Sequence, residues 1–95
     1  PLPPGTAFDA WGDALATSIK RIHDYGPDAV VISLGVDTFK DDPISFFKLE
    51  SDDYKTYGRM IAGLNRPTLF VMEGGYAVEE IGINAVNVLM GYEDR

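Results

Sequence analysis

Cysteine is absent from the sequence, and this absence limits the chemistry that the chain can perform. None of its 95 residues is Cys, which excludes disulfides and thiolate metal sites and permits a reducing compartment. No apolar stretch approaches the roughly 18 residues of a membrane helix. The first residues, Pro-Leu-Pro-Pro-Gly-Thr, lack the basic region and apolar core of a signal peptide. We therefore expect a cytoplasmic protein with no membrane partner.

Basic residues are scarce. Eight Lys and Arg residues against 15 Asp and Glu residues give a formal net charge of −7. Because binding to phosphates requires a basic surface, this balance argues against nucleic acid or an anionic membrane as a partner. A cationic small molecule is compatible with the charge.

Histidine occurs once, as His23. A catalytic base or a metal ligand needs partners that converge on it, and none is evident around His23. The residue falls in the last turn of a predicted helix, where a histidine interacts favourably with the carbonyl ends. We interpret His23 as structural.

Two continuous apolar runs predict buried strands. They are residues 29–34 and 68–72, and neither shows the alternation of a half-exposed strand. Pro43 and the adjacent aromatics Phe46 and Phe47 predict an ordered loop, not a helix, after the first strand.

Apolar stripes at spacings of three and four predict three helices. The first covers residues 6–25, the second starts at Ser51 and is closed by Gly63 and Asn65, and the third covers residues 77–90. Thr6 and Ser51 are predicted to cap the first two, and Gly91 to end the third. The order αβαβα implies an α/β fold with parallel strands and right-handed crossovers.

A two-stranded sheet would leave both outer edges open. In addition, 45% of the residues are hydrophobic, which is generous for so short a chain. We expect residues 1–95 to form a single partial domain that packs against further protein. The apolar surface left uncovered also predicts a homo-oligomer, most simply a dimer.

The loops after the two strands carry the residues best suited to chemistry. Asp37 follows the first strand, and Tyr76 follows the second, directly after Gly74 and Gly75. Because ligands of open α/β sheets bind beyond the carboxyl ends of the strands, both residues are expected at one reactive edge. A carboxylate suits divalent metals, and glycines allow a close approach of the tyrosine.

Other interpretations of these residues stay open. On position alone, Asp37 is as well suited to capping a turn as to chemistry. It could also accept a phosphoryl group, but that role requires further acidic residues on an earlier strand, and none is evident. Gly74 and Gly75 would suit a phosphate cradle, but the full G-x-G-x-x-G pattern is missing. Phe46 and Phe47 would either line a pocket or pin the loop to the core.

Residues 1 to about 91 resemble the C-terminal part of the zinc-dependent deacetylases. This superfamily comprises the histone deacetylases and the acetylpolyamine amidohydrolases. The matching motifs, in chain order, are Leu2-Pro3-Pro4-Gly5-Thr6, Gly35-Val36-Asp37-Thr38-Phe39 with Asp42-Pro43, and Glu73-Gly74-Gly75-Tyr76. Residues 44–49 and 79–82 are similar to the acetylpolyamine branch.

The resemblance implies a fold, an activity and residue roles. The fold would be part of an arginase-like three-layer α/β/α sheet, and the activity zinc-dependent deacetylation of acetylated amines. Asp37 would be a zinc ligand, and Tyr76 would polarise the amide carbonyl and stabilise the oxyanion. Gly74 and Gly75, with Phe46 and Phe47, would belong to the substrate-binding loops.

One departure from the family matters more than the matches. The family's paired histidines and its aspartate-x-histidine ligand pair lie earlier in its chain, and no residues here match them. We therefore expect a deacetylase fragment that is inactive alone, does not retain zinc and pairs with the missing N-terminal part of the catalytic domain. The alternative is a non-catalytic folded interaction module, and a nucleotide-binding αβα module ranks third.

Overall fold

A computed structural model describes residues 2–94 and has the predicted order of helices and strands. The five elements are α1 (Phe8–Tyr25), β1 (Val30–Leu34), α2 (Ser51–Ala62), β2 (Thr68–Met72) and α3 (Ile81–Glu93). The predicted α/β class is confirmed. β1 and β2 form a parallel two-stranded sheet, in register from Val30 opposite Thr68 to Leu34 opposite Met72. The carboxyl ends of both strands therefore meet at one edge.

The predicted cap of α1 is wrong. The N-cap is Ala7, not Thr6, and no side chain caps the helix. The Thr6 hydroxyl instead donates to the Pro3 carbonyl at 2.6 Å, and the Thr6 carbonyl accepts from the Lys48 amide at 2.8 Å. These two bonds turn Thr6 away from the helix and attach the N-terminal segment to the loop before α2. Gly26 ends α1 in the left-handed conformation, with φ of 72°.

The predicted cap of α2 is displaced by one residue. Glu50 is the N-cap, and its backbone amide donates to Asp53 Oδ2 at 2.7 Å. Ser51 is the first helical residue, and its carbonyl accepts from Asn87 Nδ2 at 2.8 Å. The second bond joins the start of α2 to α3.

α3 begins later and ends later than predicted. Residues 78–80 form a turn, in which the Glu80 amide donates to the Ala77 carbonyl at 2.9 Å. Gly91 lies inside the helix instead of ending it. A Cβ on Gly91 would collide with the Lys55 carbonyl oxygen of α2, and one on Gly58 with the Val88 carbonyl oxygen of α3. The glycines permit close contact between α2 and α3.

The core extends beyond the strand into the loop that follows β1. Val36 and Phe39 are buried together with Leu34, Leu49 and Tyr54. Backbone bonds from Lys40 to the Leu49 carbonyl and from Leu49 to the Thr38 carbonyl, at 2.8 and 3.1 Å, close this loop on itself. The ordered loop predicted here is present, and it provides a firm base for residues 35–39.

The opposite face of the sheet is open, so the prediction that both strands are buried is wrong for this face. Val31 and Leu69 are 65% and 60% exposed, and Val71, on the same face, is also exposed. Such adjacent apolar side chains form a surface suited to contact with protein.

Within residues 2–94 no helix has the length and apolar character needed to cross a membrane.

Candidate functional site

The two loops that follow the strands stay paired beyond the strand ends. The Glu73 amide donates to the Leu34 carbonyl at 2.9 Å, and the Val36 amide donates to the Gly74 carbonyl at 2.8 Å. Residues 35–37 and 73–76 are therefore held side by side at the carboxyl edge of the sheet. This is the edge where open α/β sheets bind ligands.

Asp37 is half-buried, and its carboxylate lies against Gly35 and Gly74. A Cβ built on Gly35 would lie 2.9 Å from Asp37 Oδ1, and one built on Gly74 would overlap Asp37 Oδ2. Any larger residue at position 74 would displace the carboxylate. Gly74, the first glycine of the Gly-Gly pair, thus leaves space for the Asp37 carboxylate. The fold brings these two predicted site residues into contact.

Tyr54 of α2 holds the loop that carries Asp37. Its hydroxyl lies 2.8 Å from Thr38 Oγ1 and donates to the Val36 carbonyl at 3.3 Å. Burial raises the pKa of Tyr54 above its ordinary value, and Asp37 adds to the shift, so the phenol stays neutral. A neutral hydroxyl buried in the core fixes both residues that flank Asp37 in sequence.

Tyr76 is accessible, with its side chain 48% exposed. Its backbone amide donates to Asp42 Oδ2 at 2.8 Å. Gly75, which precedes it, packs closely on Val36 and Ile81, because a Cβ there would lie 2.6 and 3.1 Å from their side chains. The phenol of Tyr76 is thus presented to solvent from a closely packed backbone.

Asp42 also belongs to the candidate site. The sequence indicated it only as part of the Asp42-Pro43 motif and predicted no role for it. Its side chain is buried, with only 6% exposed, and Oδ1 accepts from the amides of Ile44 and Ser45 at 2.9 and 3.1 Å. Burial favours the neutral acid, but the amides of Ile44, Tyr76, Ser45 and Ala77 outweigh it and hold the pKa of Asp42 below its ordinary value. The local turn was detectable from an aspartate before a proline. The bond to Tyr76 had no local signal.

Phe46 and Phe47 lie outside the core cluster of the described residues. Phe46 is 69% exposed and Phe47 is half-buried. The Phe46 carbonyl accepts from the Gly5 amide, at 2.6 Å, so the N-terminal segment positions this loop. The two rings are available at the surface, and a role in binding substrate stays a prediction for both.

His23 lies far from this edge along the topology. It occupies the last turn of α1, which leads to the amino end of β1, whereas Asp37 follows the carboxyl end. Its Nδ1 lies 3.7 Å from Asp24 Oδ1, and both side chains are 67% exposed. His23 is not brought toward Asp37 by the fold.

The described residues do not complete a metal site. Residues 2–94 contain no group of three or more His, Cys, Asp or Glu side chains placed to hold a metal ion. A catalytic zinc ordinarily takes three protein ligands. Asp37 offers one carboxylate, so this part of the chain does not by itself fit a zinc ion.

Comparison with known proteins assigns the chain to a family. A model of the histone deacetylase domain matches residues 1–91. The chain belongs to the histone deacetylase family. It is 63% identical over 93 residues to acetylpolyamine amidohydrolase 1 of Pseudomonas aeruginosa, and 59% identical over 91 residues to the acetylpolyamine amidohydrolase of Mycoplana ramosa.

These alignments take in 98% and 96% of this chain, but only 27% of each relative. The same share holds for a solved structure of an acetylpolyamine aminohydrolase from Burkholderia pseudomallei. That structure matches 97% of this chain and 27% of its own, with a TM-score of 0.92 and 34% identity. The fold of this histone deacetylase family chain is therefore the fold of that segment of the larger enzyme.

Proposed function

We propose that this chain is part of the catalytic domain of an amidohydrolase that removes acetyl groups from acetylated amines, of the acetylpolyamine or acetyl-lysine type. One observation carries the proposal: Asp37, Gly74 and Tyr76 share the carboxyl edge of the sheet in a chain 63% identical to an acetylpolyamine amidohydrolase. The net charge of −7 suits a cationic amine. The setting would be the cytoplasm, with no nucleic acid or membrane as partner.

Amide hydrolysis requires a hydrogen-bond donor where negative charge develops on the carbonyl oxygen. The Tyr76 hydroxyl is the donor in this proposal, because its side chain is accessible while its backbone is anchored. Phe46 and Phe47 border the substrate on the neighbouring loop, and Gly74 and Gly75 let the tyrosine loop approach closely.

The whole protein would bind zinc, with Asp37 as one ligand. The remaining ligands and the general base would come from protein outside these residues. The missing N-terminal part of the catalytic domain is the proposed partner, and the open sheet face with Val31 and Leu69 is the surface suited to further protein.

An exchange of segments tests this function. In acetylpolyamine amidohydrolase 1 of P. aeruginosa, the aligned segment is replaced by this chain, and the chimera is assayed with zinc on acetylputrescine, acetylspermidine and an acetyl-lysine peptide. We expect acetate release from at least one of them. The isolated chain is the control, and it should release no acetate and lose zinc on dialysis. A folded, zinc-loaded chimera that is inactive on all three would contradict the proposal.

The second candidate function is a non-catalytic interaction module. The absence of a three-ligand metal group in residues 2–94 favours it for the isolated chain. Near-stoichiometric zinc and measurable turnover in the isolated chain would exclude this candidate.

Under either function, we expect the isolated chain to form a homo-oligomer, most simply a dimer, through its open strand edges and sheet face. Sedimentation equilibrium at micromolar concentration should detect it. Because burying a leucine contributes about 1.5–3 kcal/mol, Leu69→Lys should weaken association by about tenfold or more. Lys20→Ala, on the exposed side of α1, should leave it unchanged. A well-folded 10.4 kDa species would contradict the prediction.

A further inference from the structure

A single buried carboxylate joins the two loops of the candidate site. Asp42 belongs to the loop after β1, and its Oδ2 accepts the Tyr76 amide of the loop after β2 at 2.8 Å. Its Oδ1 accepts two amides of its own loop, those of Ile44 and Ser45. Hydrogen bonds to an ionised acceptor are about twice as strong as neutral ones. These amide donors also satisfy a charge that would otherwise be costly to bury.

The bond to Tyr76 replaces a sheet contact. Backbone pairing between the loops reaches Gly74, whose carbonyl accepts the Val36 amide. At Tyr76 the partner of the amide is the Asp42 side chain instead. A Gly-Gly pair gives the backbone wide conformational freedom. The hydrogen bond from the Tyr76 amide to Asp42 therefore determines where the residue after this pair, Tyr76, is placed.

We propose that Asp42 is a positioning residue for Tyr76: its Oδ2 anchors the Tyr76 backbone so that the half-exposed phenol is held at the edge that carries Asp37. This inference rests on the proposed catalytic role of Tyr76. Asp42 itself is buried and acts through the main chain, so it need not touch substrate.

The substitution Asp42→Asn separates the two sets of hydrogen bonds that Asp42 accepts, those from Ile44 and Ser45 and the one from Tyr76. Asparagine has one acceptor oxygen and one NH₂ group. Keeping the oxygen toward Ile44 and Ser45 preserves two hydrogen bonds, and the NH₂ group then faces the Tyr76 amide, donor against donor. The local turn survives in this variant while the link between the loops is lost.

Amide hydrogen exchange in the isolated chain tests the anchor directly. In Asp42→Asn, the Tyr76 amide should exchange about tenfold faster or more, because its net hydrogen-bond stabilisation by a charged acceptor is about 1.5–3 kcal/mol. The Ile44 and Ser45 amides should retain their protection. Asp41→Asn, at the exposed neighbouring position, is the matched control and should change none of the three. Equal protection of the Tyr76 amide in wild type and Asp42→Asn would overturn the proposal.

Kinetics of the chimera test the consequence. Because misplacing a catalytic group by about 1 Å costs about 10²-fold in rate, Asp42→Asn should lower kcat by about that factor with KM and zinc content unchanged. In a Tyr76→Phe background the same substitution should have little further effect. An equal loss in both backgrounds would overturn the positioning role. An inactive wild-type chimera would instead overturn the proposed function, and the exchange measurement would still uphold or overturn the anchor.

Discussion

Tyr76→Phe in the chimera is expected to lower kcat by about 10²–10³-fold, the usual cost of losing one donor to an oxyanion. The hydroxyl would act only where charge develops on the carbonyl oxygen, so kcat and kcat/KM should fall together while KM stays nearly constant. Steady-state kinetics on the best substrate of the wild-type chimera measure both parameters.

Tyr25→Phe is the matched control, because Tyr25 is 85% exposed at the end of α1. It should leave kcat and KM unchanged. Tyr76→Phe should also leave the stability of the isolated chain nearly unchanged, since its side chain is half-exposed and its anchor is a backbone amide. Wild-type kcat in Tyr76→Phe would remove Tyr76 from the mechanism.

The strands and the location of the candidate site could be predicted because their signals are local. Residues 68–72 form β2 as predicted, and β1 begins one residue later than predicted, at Val30. Once two parallel strands are recognised, the residues that follow them must meet at one edge, and this placed Asp37 near the Gly-Gly-Tyr loop. The predicted chemical roles of Asp37 and Tyr76 depend on groups outside the chain and stay predictions.

The helix ends were predicted less well because competing contacts decide them. Thr6 has the side chain of a good N-cap, but its hydroxyl bonds to Pro3 in the preceding turn. Val78 fits the apolar stripe of α3, yet it lies in the turn before the helix and is 78% exposed. Pattern and propensity describe a residue's own preference, whereas each of these outcomes depends on a neighbour.

Nonlocal contacts left no local signal. The Asp42 carboxylate and the Tyr76 amide are 34 residues apart in sequence, and nothing near either residue indicates the other. The same is true of Gly91, which looks like a helix terminator but faces the backbone of α2. A glycine inside a helix is costly in propensity, so close contact between helices is the physical reason to find one there.

The contact between α2 and α3 therefore predicts the largest effects on folding. Gly58→Ala and Gly91→Ala each place a methyl group against a backbone carbonyl of the facing helix, which cannot move aside like a flexible side chain. We expect each to destabilise the isolated chain by about 2–3 kcal/mol or more, at the upper end of overpacking. A chain of this size has a total stability of roughly 5–14 kcal/mol. Urea denaturation followed by circular dichroism measures the change.

Gly82→Ala is the matched control on α3, because no atom lies within 4 Å of a Cβ at that position. Alanine there should be neutral or should stabilise the chain by up to about 1 kcal/mol through helix propensity. Comparison of the three variants separates the effect of helix packing from that of helix propensity. Propensity alone would make all three alanine substitutions stabilising. Gly58→Ala or Gly91→Ala with a midpoint at or above wild type would mean that the two helices do not pack at this distance.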